Sequence, residues 1–218
     1  MAPRRYNRHR RDAAMAETRA RIVTAVTELH AEIGPMRTTY ALIAERADVA
    51  VPTVYKHLPN LTAMFDACVG HVLGRAPPLG PEIFEGLDDA AARLDALVRA
   101  QCARYRFLEP WLRWEADEAA LPELAVHLRR VRDRRLLLVR EAIAPSFGQR
   151  PPAALVGVID ALLEFRAWQG LTKQQGLTND EAAAALTAAV HAVFDAQRGP
   201  AAYPAGAARR PVTRRRPS

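Results

Sequence analysis

The sequence predicts an all-α fold. Half of its 218 residues are hydrophobic, which is enough for a substantial core, while only 6% are aromatic. Alanine, the strongest helix former, is abundant, and the aromatic residues that favour strands are few. Apolar residues also recur at helical spacing between breaks made by proline and glycine. We therefore expect about nine helices.

The N-terminal third predicts a helix followed by two short helices. The first is expected from about Ala14 to Ile33, with apolar residues on its inward face. The two short helices lie between Thr38 and Leu58, and Thr38 or Thr39 can cap the first of them. Pro52 fits the first turn of the second, where its missing N–H costs nothing. Two such helices joined by a tight turn form a helix-turn-helix, which presents its second helix to the major groove of DNA.

The rest of the sequence predicts a separate helical domain. A segment rich in glycine and proline after Leu73 suggests an inter-domain turn. Thr178 and Glu181 form a capping box at the start of the last helix. The last two helices are unusually apolar and rich in alanine, which permits close helix approach, so they either pair with a second copy or form a monomer core. Helical periodicity resumes from Leu87 to Tyr105, and we expect further helices over residues 109–119, 122–144, 152–175 and 179–197.

Charge is concentrated at the two ends of the chain. Residues 1–11 carry five arginines and residues 198–218 carry six, with no acidic residue in either segment. These arginines outnumber the formal net charge of +7, so residues 12–197 are mildly acidic. We expect a disordered basic arm over residues 1–12 and a disordered basic tail over residues 198–218. The arm could contact the DNA backbone or minor groove, whereas the tail could equally be a solubilising end.

Residues 38–65 resemble the DNA-binding domain of TetR-family transcriptional regulators. The resemblance rests on Thr39, on the Ile43-Ala44 pair and on Val-Tyr-Lys-His-Leu at residues 54–58, and it extends back through the first helix. It implies a three-helix helix-turn-helix DNA-binding domain over residues 13–60. A C-terminal helical ligand-binding and dimerisation domain over residues 61–197 would follow.

Three residues depart from the family pattern. Asp48 replaces the usual turn glycine, which is tolerable because aspartate visits left-handed conformations more readily than most residues. Ala50 replaces a serine and removes a side-chain cap, and Leu61 replaces a common lysine that would contact a phosphate.

The resemblance implies a homodimeric repressor, paired through its last two helices and released from a palindromic DNA operator by a small-molecule ligand. Specificity would depend on thymine methyl contacts and DNA shape, because the residues near the base edges offer few hydrogen-bond donors. An alternative is a helical ligand-binding or interaction module whose DNA specificity is degenerate. The expected DNA-binding residues are Thr38, Thr39, Tyr55, Lys56 and His57 toward phosphates, and Val51, Pro52 and Thr53 toward base edges.

A small-molecule pocket is expected in the C-terminal domain. Aromatic residues cluster there, and apolar walls with a few polar anchors are typical of such sites. The same aromatics could instead fill the core or a dimer interface. The expected ligand-binding residues are Tyr105, Trp111, Trp114, His127 and Trp168, with further polar contacts available from Arg104, Arg113, Glu164 and Gln169.

The sequence gives little support for other functional classes. Serine occurs only at Ser146 and Ser218, and no nucleophile elbow, HExxH, CxxC or glycine-rich phosphate loop is present, so a helical-bundle enzyme is a remote alternative. We expect no cofactor and no metal, since two possible ligands such as Cys68 and His71 are too few. Cys68 and Cys102 are expected as buried free thiols, although a disulfide between them is not excluded. We expect no signal peptide, no membrane span and a cytoplasmic location.

Overall fold

Helices make up the regular structure of the computed structural model, which describes residues 3–148 and 150–198. No strand occurs in these two ranges, and the all-α prediction is confirmed. The elements are α1 (Pro3–Glu32), α2 (Tyr40–Arg46), α3 (Val51–His57), α4 (Leu61–Leu73), α5 (Ala90–Leu112), α6 (Pro122–Phe147), α7 (Ala153–Leu162), α8 (Phe165–Gln169) and α9 (Asn179–Arg198).

Helix α1 is longer than the sequence suggested. It begins at Pro3 rather than near Ala14, so residues 3–12 of the expected disordered arm are helical. Proline is tolerated at the first helical position, and residues 4–33 contain arginine and alanine with no glycine or proline to end the helix. Of the expected basic tail, Arg198 ends α9 and residues 199–218 lie outside the described residues.

Side-chain caps are present at three helix starts, and those of α2 and α9 confirm the sequence prediction. The Thr39 hydroxyl oxygen accepts a hydrogen bond from the backbone N–H of Leu42 at 3.2 Å, so Thr39 caps α2. Asn60 caps α4 in the same way, through the N–H of Ala63 at 2.8 Å. At the start of α9, Thr178 and Glu181 satisfy each other's backbone N–H groups, as the capping box predicted.

Two prolines that were expected to punctuate helices lie inside them instead. Pro110 is within the last turn of α5, and Pro145 is near the end of α6. A proline inside a helix leaves the carbonyl four residues earlier without its usual donor. For Pro145 this carbonyl belongs to Glu141, and it accepts a hydrogen bond from the Arg93 guanidinium at 3.2 Å. A tertiary contact therefore offsets part of the proline's cost.

The expected helix over residues 152–175 is wrong as a single element, because it breaks at Leu163 and Glu164 between α7 and α8. The break is held by side chains from other helices. The Leu163 carbonyl accepts a hydrogen bond from the Tyr105 hydroxyl at 2.7 Å. The buried Arg135 guanidinium binds Asp160 at 2.6 Å and Glu164 at 3.3 Å. No glycine or proline marks this position in the sequence.

Two hydrophobic clusters form the core. The first joins α1 to α4 and includes Ile22, Ile43 and Val54. The second joins α5 to α9 and includes Leu97 and Phe194. Helix α4 packs with the first cluster, although the expected domain boundary after residue 60 assigns it to the second domain. Cys68 and Cys102 are buried free thiols, one in each cluster. In the described part of the chain, no helix is both long and apolar enough to cross a membrane.

Candidate DNA-binding surface and internal cavity

The turn between α2 and α3 has the geometry that a helix-turn-helix requires. Asp48 adopts the left-handed conformation, with φ 51°, where the family pattern has glycine. The N–H of Val49 donates to the carbonyl of Ala44 at 3.0 Å and closes the end of α2. Ala50 precedes α3 without a side-chain cap, as expected. The N–H of Thr53 bonds instead to the Ala50 carbonyl at 2.8 Å.

Helix α3 has one buried and one exposed face. Val54 and Leu58 are fully buried, which positions the helix on the first core cluster. The residues expected to face DNA lie on the other side. Val51, Pro52, Tyr55 and Lys56 are exposed, and Thr53 and His57 are half-buried.

Tyr55 is held in place by stacking on Tyr40. The two ring centroids are 4.0 Å apart and the planes differ by 10°. Burial, and secondly the neighbouring Tyr55, raise the pKa of the Tyr40 hydroxyl, so it stays protonated. The exposed Tyr55, held by this stacking, suits donation of its hydroxyl to a phosphate oxygen.

The two threonines before α2 are in different environments. Thr39 is exposed, and its oxygen accepts the capping bond, which leaves the hydroxyl hydrogen available for a phosphate. Thr38 is buried, and its hydroxyl donates to the Gly34 carbonyl at 2.9 Å. Of the two, only Thr39 presents its side chain to solvent.

Arginines of α1 support this surface, and the sequence interpretation missed them. Arg19 donates to the carbonyl of His57 at 3.1 Å, at the end of α3. Arg21 contacts the carbonyl of Asp48 at 3.5 Å, in the turn. Partial burial, followed by the charges of Arg19 and Lys56, lowers the pKa of His57, so its imidazole is neutral at pH 7. The sequence did contain a signal, because both arginines directly precede the apolar residues that form the inward face of α1.

A mainly apolar cavity of about 120 Å³ lies where α4, α5 and α6 meet the end of α1. Four of the five expected ligand-binding residues line it: Tyr105, Trp111, Trp114 and His127. Trp168 does not. It is buried in the second core cluster, and its indole N–H donates to Asn179 at 3.1 Å. Further lining residues that the sequence did not single out include His30, Phe65, Cys68, Gln101 and Leu108.

The polar groups of this cavity are few and mostly uncharged. The buried side-chain atoms Gln101 Oε1 and Trp114 Nε1 have no hydrogen-bond partner among the described residues. Burial lowers the pKa of His30 to about 4. Burial also lowers the pKa of His127, although Asp66 at 3.4 Å opposes this shift. Both imidazoles are therefore neutral at pH 7. Arg104 lines one side and donates to the carbonyl of Pro77.

The end of α5 connects the cavity to α1. The Trp111 indole N–H donates to the carbonyl of Thr27 at 2.9 Å. The Arg113 guanidinium donates to the carbonyl of Ala31. A Cβ atom at Gly34 would lie 2.8 Å from the Trp114 ring, and the φ of Gly34 is 84°. Trp111 thus contacts α1, the helix that supports the helix-turn-helix, and Trp114 lies against the residue two positions after its end.

The described residues contain no group of three or more histidine, cysteine, aspartate or glutamate side chains that could hold a metal ion.

Comparison with known proteins agrees with this architecture. The family model for bacterial regulatory proteins of the tetR family matches residues 22–68. A crystal structure from Rhodococcus sp., described as a TetR-family transcriptional regulator, has a TM-score of 0.62 and 21% identity, and the match covers 82% of this chain and 99% of that one. At this identity the similarity concerns the fold. A TetR transcriptional regulator from Rhodococcus sp. RHA1 matches at 14% identity over 84% of this chain and 98% of that one, with a TM-score of 0.46. No curated protein matches the chain. The family model identifies residues 22–68 as the helix-turn-helix domain of bacterial regulatory proteins of the tetR family, and the first of these structures shares its fold over most of the chain.

Proposed function

We propose that the chain is a homodimeric repressor that binds a palindromic operator and is released from it by a small molecule held in the cavity. The observation that carries this proposal is the exposed face of α3, on which Tyr55 is stacked against Tyr40 beside Lys56. TetR-family regulators are non-enzymatic DNA-binding proteins, so the chain is not an enzyme. A cytoplasmic location belongs to the same proposal.

Each exposed residue has a proposed role on DNA. Thr39, Tyr55 and Lys56 hold phosphates, and neutral His57 donates one hydrogen bond to a phosphate oxygen. Val51, Pro52 and Thr53 approach the base edges at the start of α3. Val51 and Pro52 offer no side-chain donor, so discrimination there depends on thymine methyl groups and on DNA shape.

The dimer is proposed to form through α7 and α9. Two recognition helices related by a dyad read half-sites about 34 Å apart, whereas one helix reads too few base pairs. Val158 on α7 is 46% exposed, although it is a large apolar residue. A Cβ atom at Gly157 would meet nothing within 4 Å, so this face has room for a partner helix. Small apolar residues are exposed on both helices, at Ala154, Gly157 and Ala161 of α7 and at Ala184, Ala185, Ala188 and Ala192 of α9.

The proposed coupling between cavity and DNA runs through the end of α5. Filling the cavity displaces Trp111 and Trp114, which contact Thr27 and Gly34 at the end of α1. Helix α1 in turn holds α3 through Arg19. A shift of α1 changes the spacing of the two recognition helices and therefore the affinity for an operator of fixed spacing.

The DNA-binding assignment is tested with Tyr55→Ala. An operator is first selected from random DNA with the wild-type protein, and affinities are then measured by gel-shift titration. We expect Tyr55→Ala to weaken binding to operator and non-specific DNA by a similar factor, because phosphate contacts carry no sequence information. Leu137→Ala, at an exposed apolar residue of α6, is the control and should bind normally. Sedimentation should show the same dimer for all three proteins. Unchanged affinity of Tyr55→Ala would remove Tyr55 from the interface.

A second candidate is a module with degenerate DNA specificity, and the missing side-chain cap at Ala50 favours it. A salt titration separates the two functions. A specific regulator should bind its selected operator about a thousandfold or more tighter than unrelated DNA at the same salt concentration. A ratio near one would support the degenerate module.

A further inference from the structure

Two residues that line the cavity, Gln101 and Trp114, each carry a buried polar atom without a hydrogen-bond partner among the described residues. Gln101 lies within α5, and Trp114 follows the end of this helix at Leu112. Tyr105, Leu108 and Leu112 line the wall between them. The occupant of such a cavity is elongated along α5, with an apolar middle.

Both polar atoms require something that the described residues do not provide. Gln101 is only 2% exposed, and its Oε1 has no donor, whereas Trp114 Nε1 has no acceptor. Buried polar atoms in folded proteins are nearly always hydrogen-bonded, because an unpaired one loses the hydration it had in the unfolded chain. Gln101 Oε1 is a hydrogen-bond acceptor, whereas Trp114 Nε1 is a donor. An occupant that satisfies both atoms therefore needs a donor near Gln101 and an acceptor near Trp114.

The remaining wall disfavours a charged occupant. His30 and His127 are both held neutral by burial. Arg104 is the cationic residue of this wall, and it is engaged by the carbonyl of Pro77. Most of the other lining residues, among them Phe65, Val69 and Val72, are apolar. A buried charge without a partner is costly in such surroundings.

We propose that the occupant is an uncharged, elongated and mainly apolar molecule with a polar group at each end, one donating to Gln101 Oε1 and the other accepting from Trp114 Nε1. This inference rests on the proposed function of the cavity as the effector site. It adds the chemical class of the effector and the two residues that select it.

The test uses linear alcohols as probes and isothermal titration calorimetry on the full chain. The probes are hexanediol, octanediol and decanediol with a hydroxyl at each end, together with the primary alcohol octanol. The wild-type protein should bind the best-fitting diol about five- to tenfold tighter than octanol, the gain expected from one additional hydrogen bond to a buried group.

Two variants each remove one anchor. Gln101→Leu removes the acceptor, and Trp114→Phe removes the indole N–H while keeping an aromatic ring. Each should weaken binding of that diol about tenfold and leave the affinity for octanol nearly unchanged, because octanol can use the remaining anchor. Trp168→Phe is the matched control. It removes an indole N–H that is bonded to Asn179 in the core and should change neither affinity.

Several results would overturn the inference. These are no binding of any diol, no preference for a diol over octanol, and a diol affinity that neither variant alters, which would mean that water satisfies both atoms. Tighter binding of octanoate than of octanol, lost in Arg104→Met, would show an acidic ligand instead. Operator affinity is measured separately. A diol that binds as expected without changing operator affinity would refute the effector role and leave the binding chemistry intact.

Discussion

Acidification should destabilise the protein through His30, at the junction of the cavity and α1. Its side chain is buried, and its ring lies 5.4 Å from that of Phe65. Burial lowers its pKa from 6.5 to about 4. Above about pH 6.5 the residue is neutral in both the folded and the unfolded state. Between these two values only the unfolded state takes up the proton, so stability falls as the pH falls. At about 1.4 kcal/mol per pH unit, the loss down to about pH 4 is about 3 kcal/mol.

The prediction is checked by urea unfolding of wild type and His30→Gln, followed by circular dichroism across this pH range. Other titrating groups, His127 included, are common to both proteins and cancel in the comparison. The wild type should lose about 3 kcal/mol more than the variant between about pH 7 and about pH 4. Parallel pH profiles for the two proteins would refute the argument that burial keeps His30 neutral.

Three further predictions concern stability. Ala50→Ser should raise the thermal midpoint by restoring a cap to α3, a gain of about 1 kcal/mol; an unchanged midpoint would show that the Thr53-to-Ala50 backbone bond already suffices. Arg135→Leu should lower the free energy of unfolding in urea by about 3 kcal/mol, because it leaves Asp160 largely buried without its partner; a smaller loss would mean that Asp160 reaches water. Without ligand, Gln101→Leu should stabilise the protein by about 1 kcal/mol in the same assay, and destabilisation would show that its amide is already satisfied.

The helix-turn-helix could be predicted closely because its signals are local. Pro52, Asp48 and Asn60 each act within a few residues of their own position, as a first-turn residue, a left-handed turn residue and a cap. Caps and turns of this kind need no information about distant parts of the chain. The role of Arg19 was not predictable in the same way, because its partner carbonyl at His57 is 38 residues away.

The cavity was predicted only in part. Helical spacing shows that Tyr105, Trp111 and Trp168 lie on apolar faces, but it does not say which faces meet. Trp168 therefore appeared equivalent to the others, although it packs in the second core cluster and does not line the cavity. Gln101 was overlooked, yet a single amide on the face shared by Val98 and Tyr105 was a signal in the sequence.

The break between α7 and α8 had no local signal at all. It depends on Tyr105 and Arg135, which come from two other helices and bond to Leu163 and Glu164. Tertiary contacts of this kind override local helix preference. Residues 3–12 show the opposite case. Their charge suggested disorder, but they follow their local helix propensity and form part of α1.

The positions of the three tryptophans provide the protein with an intrinsic optical reporter. Trp111 and Trp114 line the cavity, whereas Trp168 lies in the second core cluster. An occupant therefore alters the surroundings of two fluorophores and leaves the third as an internal reference. Trp111 also bonds to Thr27 of α1, so its emission is sensitive to the contact between α5 and α1. Binding of a small molecule in the cavity can therefore be followed on the unlabelled chain.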